Sequence, residues 1–450
     1  MSSVAPVAGA ERIASIDVLR GVALLGILLM NIQDFGLPGA AYGNPAVWGG
    51  ATGANLGYWF TNQVLFEGKM RAIFSMLFGA GFLVLASRAE ARGLEARAGL
   101  ADIYYRRTMW LLVFGLLHAY FIWSGDILFP YAVCGLFLYV LRGVAPGALI
   151  LTGLLMLSMD VPYTYFDAKE AAGIRAKGEA ALAAEKSGKK LSQEQEAAKK
   201  KWEEKKKDMI PDPKKVQKDI NEHRTGYWHF FGIRSERVAQ DAPQGIFNWI
   251  PFDCGSMMLI GMGLFKLGVF TASLAARQYV RIALIGYGLG VPVLGYVAWV
   301  TAQHHWDPLA PFWWGWCTYQ LGRLAMAMGH ISVVMLVVQQ GWLPWLTRRL
   351  AAVGQTALSN YLLTSVLCTF FFNGYGLGRF GHLQRHQLLY VVAGVWSINL
   401  LVSPWWLARY RFGPMEWVWR SLTYVRMQPM RLAEPQTPRE PPPLQEAANA

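Results

Sequence analysis

Charge is what this sequence lacks. Only 16% of its 450 residues are Asp, Glu, Lys or Arg, where globular proteins carry roughly 25%. The shortage is uneven. Residues 166–224 hold 16 basic and 12 acidic residues, leaving 43 charges for the other 391. A chain so poor in charge cannot clothe itself for water, which excludes an ordinary soluble globule. Cysteine is scarce as well: Cys134, Cys254, Cys317 and Cys368 stand singly, with no CxxC pair. That excludes a disulfide framework and a cysteine zinc site. Histidine is missing between Met1 and Leu117, so no imidazole base can come from that stretch.

What is present is apolar sequence in long runs, among them LLGILLM, AIFSMLFGAGFLVLA, MWLLVFGLL, ALILTGLLMLSM, MMLIGMGLFKLGVF and ISVVMLVV. A helix that spans a bilayer needs about 20 mainly apolar residues. The pattern predicts an all-α, polytopic transmembrane bundle of ten spans, near 18–35, 66–87, 107–123, 126–142, 146–164, 247–268, 279–301, 318–340, 353–373 and 387–408. The net charge of +13 does not imply nucleic acid, because outside 166–224 it gathers near helix ends. Lys and Arg are absent from 36–57 and 302–317, whereas 88–106 carries Arg88, Arg92, Arg97 and Arg106. Basic loops stay in the cytoplasm, so both termini are expected there, with lipid as the main partner.

Four regions follow: spans one to five in 1–165, a charged extracytoplasmic insert in 166–245, spans six to ten with an interfacial helix in 246–428, and a disordered cytoplasmic tail in 429–450. The insert is rich in Ala, Glu, Lys and Gln with many i,i+4 opposite charges, which favours a solvated helix pair acting as a spacer. The stretch RFGPMEWVWRSLTYVRMQP reads as an interfacial helix, with Trp417 and Trp419 at headgroup level and a Glu416–Arg420 pair. Nothing in the sequence fixes an oligomeric state, and an oligomer is compatible with it.

An ionisable group inside a bilayer costs a few kcal/mol and needs a partner, a cavity or an interface. Asp17 and Arg20 stand one turn apart at the start of span one and can pair; Arg20 can also meet an anionic ligand, since guanidinium matches phosphate bidentately. Asn31 can bond a neighbouring helix or hold a substrate carbonyl. Glu67, Lys69 and Arg71 form either a snorkelling cluster or the polar floor of an outer cavity. In GLLHAYFIWSGDILFPYAVCG, Asp126 can cap the helix after Gly125, and His118 lies in an apolar helix where an imidazole needs two partners. Asp126 is placed to orient His118, the arrangement of a general base. Arg323, His330, Asn360 and Ser365 are further polar positions, with helix packing the plain account of the last two. His304, His305 and Asp307 do not make a coordination motif, and no metal site is predicted.

These segments together resemble the YeiB-like bacterial inner-membrane proteins, the family of domain of unknown function 418. The resemblance rests on RIASIDVLRGVALLGILLMN, FEGKMRAIFSMLFGAGF, RRTMWLLVFGLLHAYFIWSGDILFPYAVCG, GQTALSNYLLTS and FGPMEWVWRSLTY, and covers nearly all the chain outside the insert and tail. More distantly the chain is similar to transmembrane acyltransferases of the acyltransferase-3, glucan succinyltransferase and heparan glucosaminide acetyltransferase types. They share the opening seen here as Arg12, Asp17, Arg20 and Gly21. That resemblance implies transfer of an acyl group from cytosolic acyl-CoA to an acceptor hydroxyl or amine across the membrane. It puts Arg20 near the coenzyme entrance and matches Asn31 to the helix-one asparagine of the heparan-type enzymes; on this reading Arg88 or Arg107 joins Arg20 at the coenzyme phosphates and Asn31 steadies the acyl carbonyl. Acyltransferase-3 proteins carry a histidine near the end of helix one, and this chain does not, so His118 with Asp126 takes that place. Glu67, Lys69, Arg71 and Asn360 are the expected substrate pocket. A transporter or channel for a small solute and a non-catalytic envelope scaffold are the rival readings.

Overall fold

The computed structural model describes residues 13–91, 99–209, 211–248, 250–307 and 312–432. These form seventeen helices of two turns or more: α1 (Ala14–Gly36), α2 (Gly53–Thr61), α3 (Lys69–Ala91), α4 (Leu100–Phe121), α5 (Leu128–Leu138), α6 (Pro146–Ser158), α7 (Asp160–Lys186), α8 (Gln193–Met209), α9 (Pro213–His223), α10 (Tyr227–Asn248), α11 (Ser256–Lys266), α12 (Ala276–Gln303), α13 (Phe312–Gln339), α14 (Pro344–Gln355), α15 (Ala357–Phe372), α16 (Leu388–Leu407) and α17 (Pro414–Tyr424). Proline opens α6, α9, α14 and α17, where its missing N–H has no helical partner to lose. Arg12, Arg92 and Arg97 lie outside the described residues, as does the expected disordered tail beyond 432.

Among the described residues six helical stretches are long and apolar enough to cross a membrane, and α5 and α15 are shorter apolar helices. The expected ten spans are therefore only partly reproduced. The span expected at 247–268 is broken: α10 ends at Asn248, a π turn occupies Ile250–Gly255, and α11 has 11 residues. A second π turn, Asn62–Phe66, precedes α3. α4 carries Asp102, Arg106 and Arg107 in its first turns, charges that its tertiary partners rather than lipid must answer. Phe137, Val140, Leu151, Leu155, Leu284, Ile285 and Leu401 point outward, an apolar belt that suits lipid and not water.

α1 is the axis. Of its most apolar window, 83% is buried within the protein, and it packs against α14, α3 and α15. The crossing with α14 is backbone against backbone. A Cβ on Gly21 would meet Leu350 O, and one on Gly354 would meet Asp17 O, so side chains larger than hydrogen are excluded from both faces.

The charged insert does form a helix pair, α7 with α8, joined by Lys199–Glu185 and packed around Trp202. Its expected boundary at 166 is not a structural one, because α7 starts at Asp160, one residue beyond the end of α6. Nor is the insert a free spacer. Arg175 of α7 pairs with Asp307, and α9 and α10 fold back onto the apolar body. Gly39 N donates to Asp219 Oδ2 at 3.1 Å, Arg224 donates twice to Phe380 O, and His223 stacks on Phe380 with centroids 3.9 Å apart.

Two outcomes test this packing. Gly354→Val should lower thermal stability by at least the 1–3 kcal/mol typical of overpacking, because the obstructing atoms are backbone; a melting curve like the parent's would mean α1 and α14 are apart. Burial pushes the Asp219 carboxyl up, but the His223 side chain, the Gly39 N–H and the Arg237 charge outweigh it and bring it from its ordinary 3.8 to about 2. A depressed carboxylate stabilises the fold above pH 3.8 and loses that contribution as pH falls towards 2, on the order of 2 kcal/mol. Amide exchange across 213–223 should therefore accelerate between pH 4 and 2, and Asp219→Asn should flatten that change.

Candidate active site

One slot of about 270 Å³ enters the bundle between α1, α3, α4, α14 and α17. Phe74 and Arg88 both line it from α3, and at 1.5 Å per residue they are about 21 Å apart. Its walls are Ile16, Ile27, Leu77, Phe78, Phe82 and Leu111, and its far end is Ile127, Leu128, Tyr131 and Tyr361. The mouth is basic. Arg20, Arg88, Arg107 and Arg420 line it together with Asp17 and Glu416, four positive charges against two. Asp17 accepts from Arg20 Nη1 at 2.9 Å, as the sequence suggested, and that arginine also reaches Gly354 O at 3.4 Å. The three arginines expected at coenzyme phosphates thus meet at one opening.

α17 closes the side of that mouth. The Arg107 guanidinium lies 3.7 Å from the Trp419 ring centroid, and Trp419 Nε1 donates to Arg107 O at 2.9 Å. Trp417 Nε1 donates to Gln428 O. Both half-buried indoles are tied to backbone carbonyls of the protein itself. Glu416 caps α15, accepting from Leu358 N at 2.6 Å, Ser359 N at 3.1 Å and Ser359 Oγ at 2.5 Å. Burial, the larger influence, pushes its carboxyl up against those hydrogen bonds. The tail expected to be disordered from 429 is ordered at first: Arg411 N donates to Met430 O and Leu432 N to Arg409 O.

His118 and Asp126 lie beyond the far end of the slot. Nδ1 of His118 stands 2.8 Å from Asp126 Oδ1, and Asp126 Oδ2 accepts from Phe129 N at 2.7 Å, capping α5. Both side chains are almost wholly buried, 1% and 2% exposed. Among the described residues Nε2 of His118 has no hydrogen-bond partner. With Nδ1–H given to the carboxylate, Nε2 keeps its lone pair, which is the form a base requires. The imidazole sits between two aromatic rings, Tyr361 at 5.0 Å and Trp123 at 6.3 Å between centroids. Tyr361 carries the contact to the slot, its hydroxyl accepting from Ile127 N at 3.2 Å.

α4 ends at this point, and its carbonyls need donors. Arg234 of α10 supplies them: Nε to Tyr120 O at 3.0 Å, Nη2 to Phe121 O at 3.0 Å and Nη1 to Ile122 O at 2.7 Å. Sequence reasoning missed this arginine, whose only signal was a basic residue within an aromatic stretch.

The other expected site residues lie elsewhere. Arg71 pairs with Asp253 at 2.6 Å, and the other oxygen of Asp253 takes Arg323 at 2.6 Å. Glu67 accepts from Tyr42 at 2.5 Å and Lys69 donates to Gln63 O at 2.5 Å. This cluster stands behind Tyr131, whose hydroxyl meets Ser75 Oγ at 2.7 Å and Arg71 O at 3.3 Å, and none of its members lines the slot. Asp253 was not singled out from the sequence, although a carboxylate in FDCGSMML is the kind of signal that finds one. Asn360 is occupied by Val353 O, Thr356 Oγ1 and Ser403 Oγ. Asn31 is half-buried on α1 and does not line the slot. Among the described residues no three metal-ligating side chains converge.

Fold and site together define a class: an all-helical membrane protein with a basic-mouthed apolar slot that ends beside a buried His–Asp pair. The chain belongs to the YeiB-like family. It is 30% identical over 433 residues to the uncharacterized protein YeiB of Escherichia coli (strain K12), covering 92% of this chain and 96% of that protein. The uncharacterized protein YxaH of Bacillus subtilis (strain 168) is 27% identical over 453 residues, 96% of this chain and 98% of its own. The family model described as protein of unknown function (DUF418) matches residues 264–426, which include Tyr361, Glu416 and Trp419 but not His118. No solved structure matches the chain.

Arg234→Met keeps much of the apolar bulk and removes every donor from the end of α4. Hydrogen bonds to a charged group contribute about 1.5–3 kcal/mol each, so the variant should lose at least about 2 kcal/mol of stability, and protease should cut first near 122–127. An unchanged digestion pattern would show that another group closes that end.

Proposed function

We propose that the protein transfers a short acyl group from cytosolic acyl-CoA to an acceptor hydroxyl or amine reaching His118 from the other side of the bacterial inner membrane, with both chain termini in the cytoplasm. One observation carries the reading. Arg20, Arg88 and Arg107, far apart in sequence, line the mouth of a slot whose far end touches His118 through Tyr361. The size agrees. The slot's 270 Å³ lies just below the range of about 300–1,000 Å³ usual for small-molecule pockets, so it is narrow. That matches a pantetheine arm with a short acyl group and leaves the nucleotide outside, against the arginines.

The chemistry follows from the pair. His118 Nε2 takes the acceptor proton as the acceptor atom attacks the thioester carbonyl carbon. The carbon–sulfur bond breaks, and the imidazolium, held by Asp126, returns the proton to the departing thiolate. A carrier for a small anion is the second reading. It is favoured by the ion cluster Arg71–Asp253–Arg323 and by the two π turns beside it, since charges within a membrane often mark a path.

Acetyl-CoA titrated into the purified protein should bind, and Arg107→Ala should weaken binding at least about tenfold, the loss of one charge-assisted contact. His118→Ala should leave that affinity unchanged while abolishing thiol release in the presence of an acceptor amine. Full turnover by the histidine variant removes it from the mechanism. No binding by the parent protein, together with flux of anions into proteoliposomes, would move the carrier reading ahead.

A further inference from the structure

A second, smaller cavity of about 80 Å³ is lined by Trp123, the ring that stands edge-on to His118. Arg20 and Asp34 lie on the same helix, so at 1.5 Å per residue this cavity and the arginine mouth are about 21 Å apart along α1. Its apolar walls are the faces of Phe35, Trp123 and Phe230; Phe35 and Trp123 stack with centroids 4.2 Å apart. Its charged lining is Asp34, Asp219, Arg234 and Arg237. Arg237 is engaged by Asp219 and by Glu222, and Arg234 by the carbonyls at the end of α4. Asp34 receives a single hydrogen bond, from Trp123 Nε1 at 2.9 Å, and no cation stands within ion-pair distance of it among the described residues. Glu222 is held by Lys218 as well, and Asp219 by His223, so Asp34 is the lining carboxylate without an ion-pair partner among the described residues.

We infer that this cavity is a second ligand site, which takes a small molecule bearing a protonated amine on Asp34 beside the stacked rings of Phe35 and Trp123. Carboxylate and aromatic faces together recognise ammonium. At about 30 Å³ of liquid volume per water, 80 Å³ admits roughly three water-sized groups, near the size of the smallest amino alcohol. On the acyltransfer reading, which this inference extends, the ligand is the acceptor. Trp123 then links the two sites, since that ring stands edge-on to His118 and donates to Asp34. The ammonium gives one proton to Asp34 and on to solvent, and the second to His118 as nitrogen bonds to the acyl carbon. Ammonium and thioester become amide, thiol and one free proton.

The test is binding, independent of turnover. Ethanolamine, ethylene glycol and glycolate are compared by saturation-transfer NMR on the protein in nanodiscs; they share a size and differ in charge. Ethanolamine should bind at least tenfold more tightly than the other two. Asp34→Asn should erase that preference and leave acetyl-CoA binding at the arginine mouth unchanged, while Asp34→Glu, which keeps the charge, should retain it. Equal binding of the three probes, or a preference that survives Asp34→Asn, overturns the site. Ethanolamine binding without acetyl-CoA binding keeps the site and removes acyltransfer; the opposite pattern removes the site and leaves acyltransfer standing.

Discussion

A helix that ends inside an apolar bundle leaves carbonyls that hydrocarbon cannot satisfy. Here Arg234 satisfies three at the end of α4, and much else rests on it. Those carbonyls begin two residues after His118, and the turn that follows brings Asp126 back against the imidazole. The guanidinium comes from α10, which returns from the charged insert. The part of the chain that looks least like a membrane protein therefore fixes the geometry of its most buried polar pair.

Charge is handled in two ways within the same bundle. At the slot mouth four arginines face two carboxylates, an imbalance that suits a ligand carrying its own negative charge. Behind Tyr131 a two-to-one excess of arginine is buried instead: Asp253 gives one oxygen to Arg71 and the other to Arg323. A buried carboxylate between two guanidiniums is costly to break, because either arginine removed leaves a charge without its partner. The first arrangement invites a molecule in; the second holds helices α3, α11 and α13 in register around the π turn before α11.

What could be read from the sequence was local. His118 and Asp126 are eight residues apart across a tight turn, and Asp17 and Arg20 are one helical turn apart, so both contacts followed from spacing. The all-α class and the YeiB-like family were legible in the apolar runs and five ordered motifs. Pairings between distant segments were not: Arg71 and Asp253 are separated by 182 residues, and no single sequence reports such a meeting. α17 was legible in part, for a physical reason. Its two tryptophans and alternating charges have the composition of an interfacial helix, and only the fold reveals that Arg107 lies on Trp419. The boundary of the insert misled for another. A shift in composition at 166 marks a change of solvent, but a helix ends only where the backbone is interrupted, and α6 and α7 are separated by a single residue.

Arg234 also has a place in time. It lies 114 residues after Tyr120, and a ribosome adding about 5 to 20 residues per second reaches it roughly 6 to 23 s later. Throughout that interval the end of α4 has no guanidinium, and water or the insertion machinery must serve its carbonyls. The turn carrying Ser124, Gly125 and Asp126 can wait at a wet surface, which its short polar residues tolerate. The His–Asp pair is therefore closed late in biosynthesis, after the whole charged hairpin has emerged and folded back, and a chain truncated before α10 would carry both residues without a finished site.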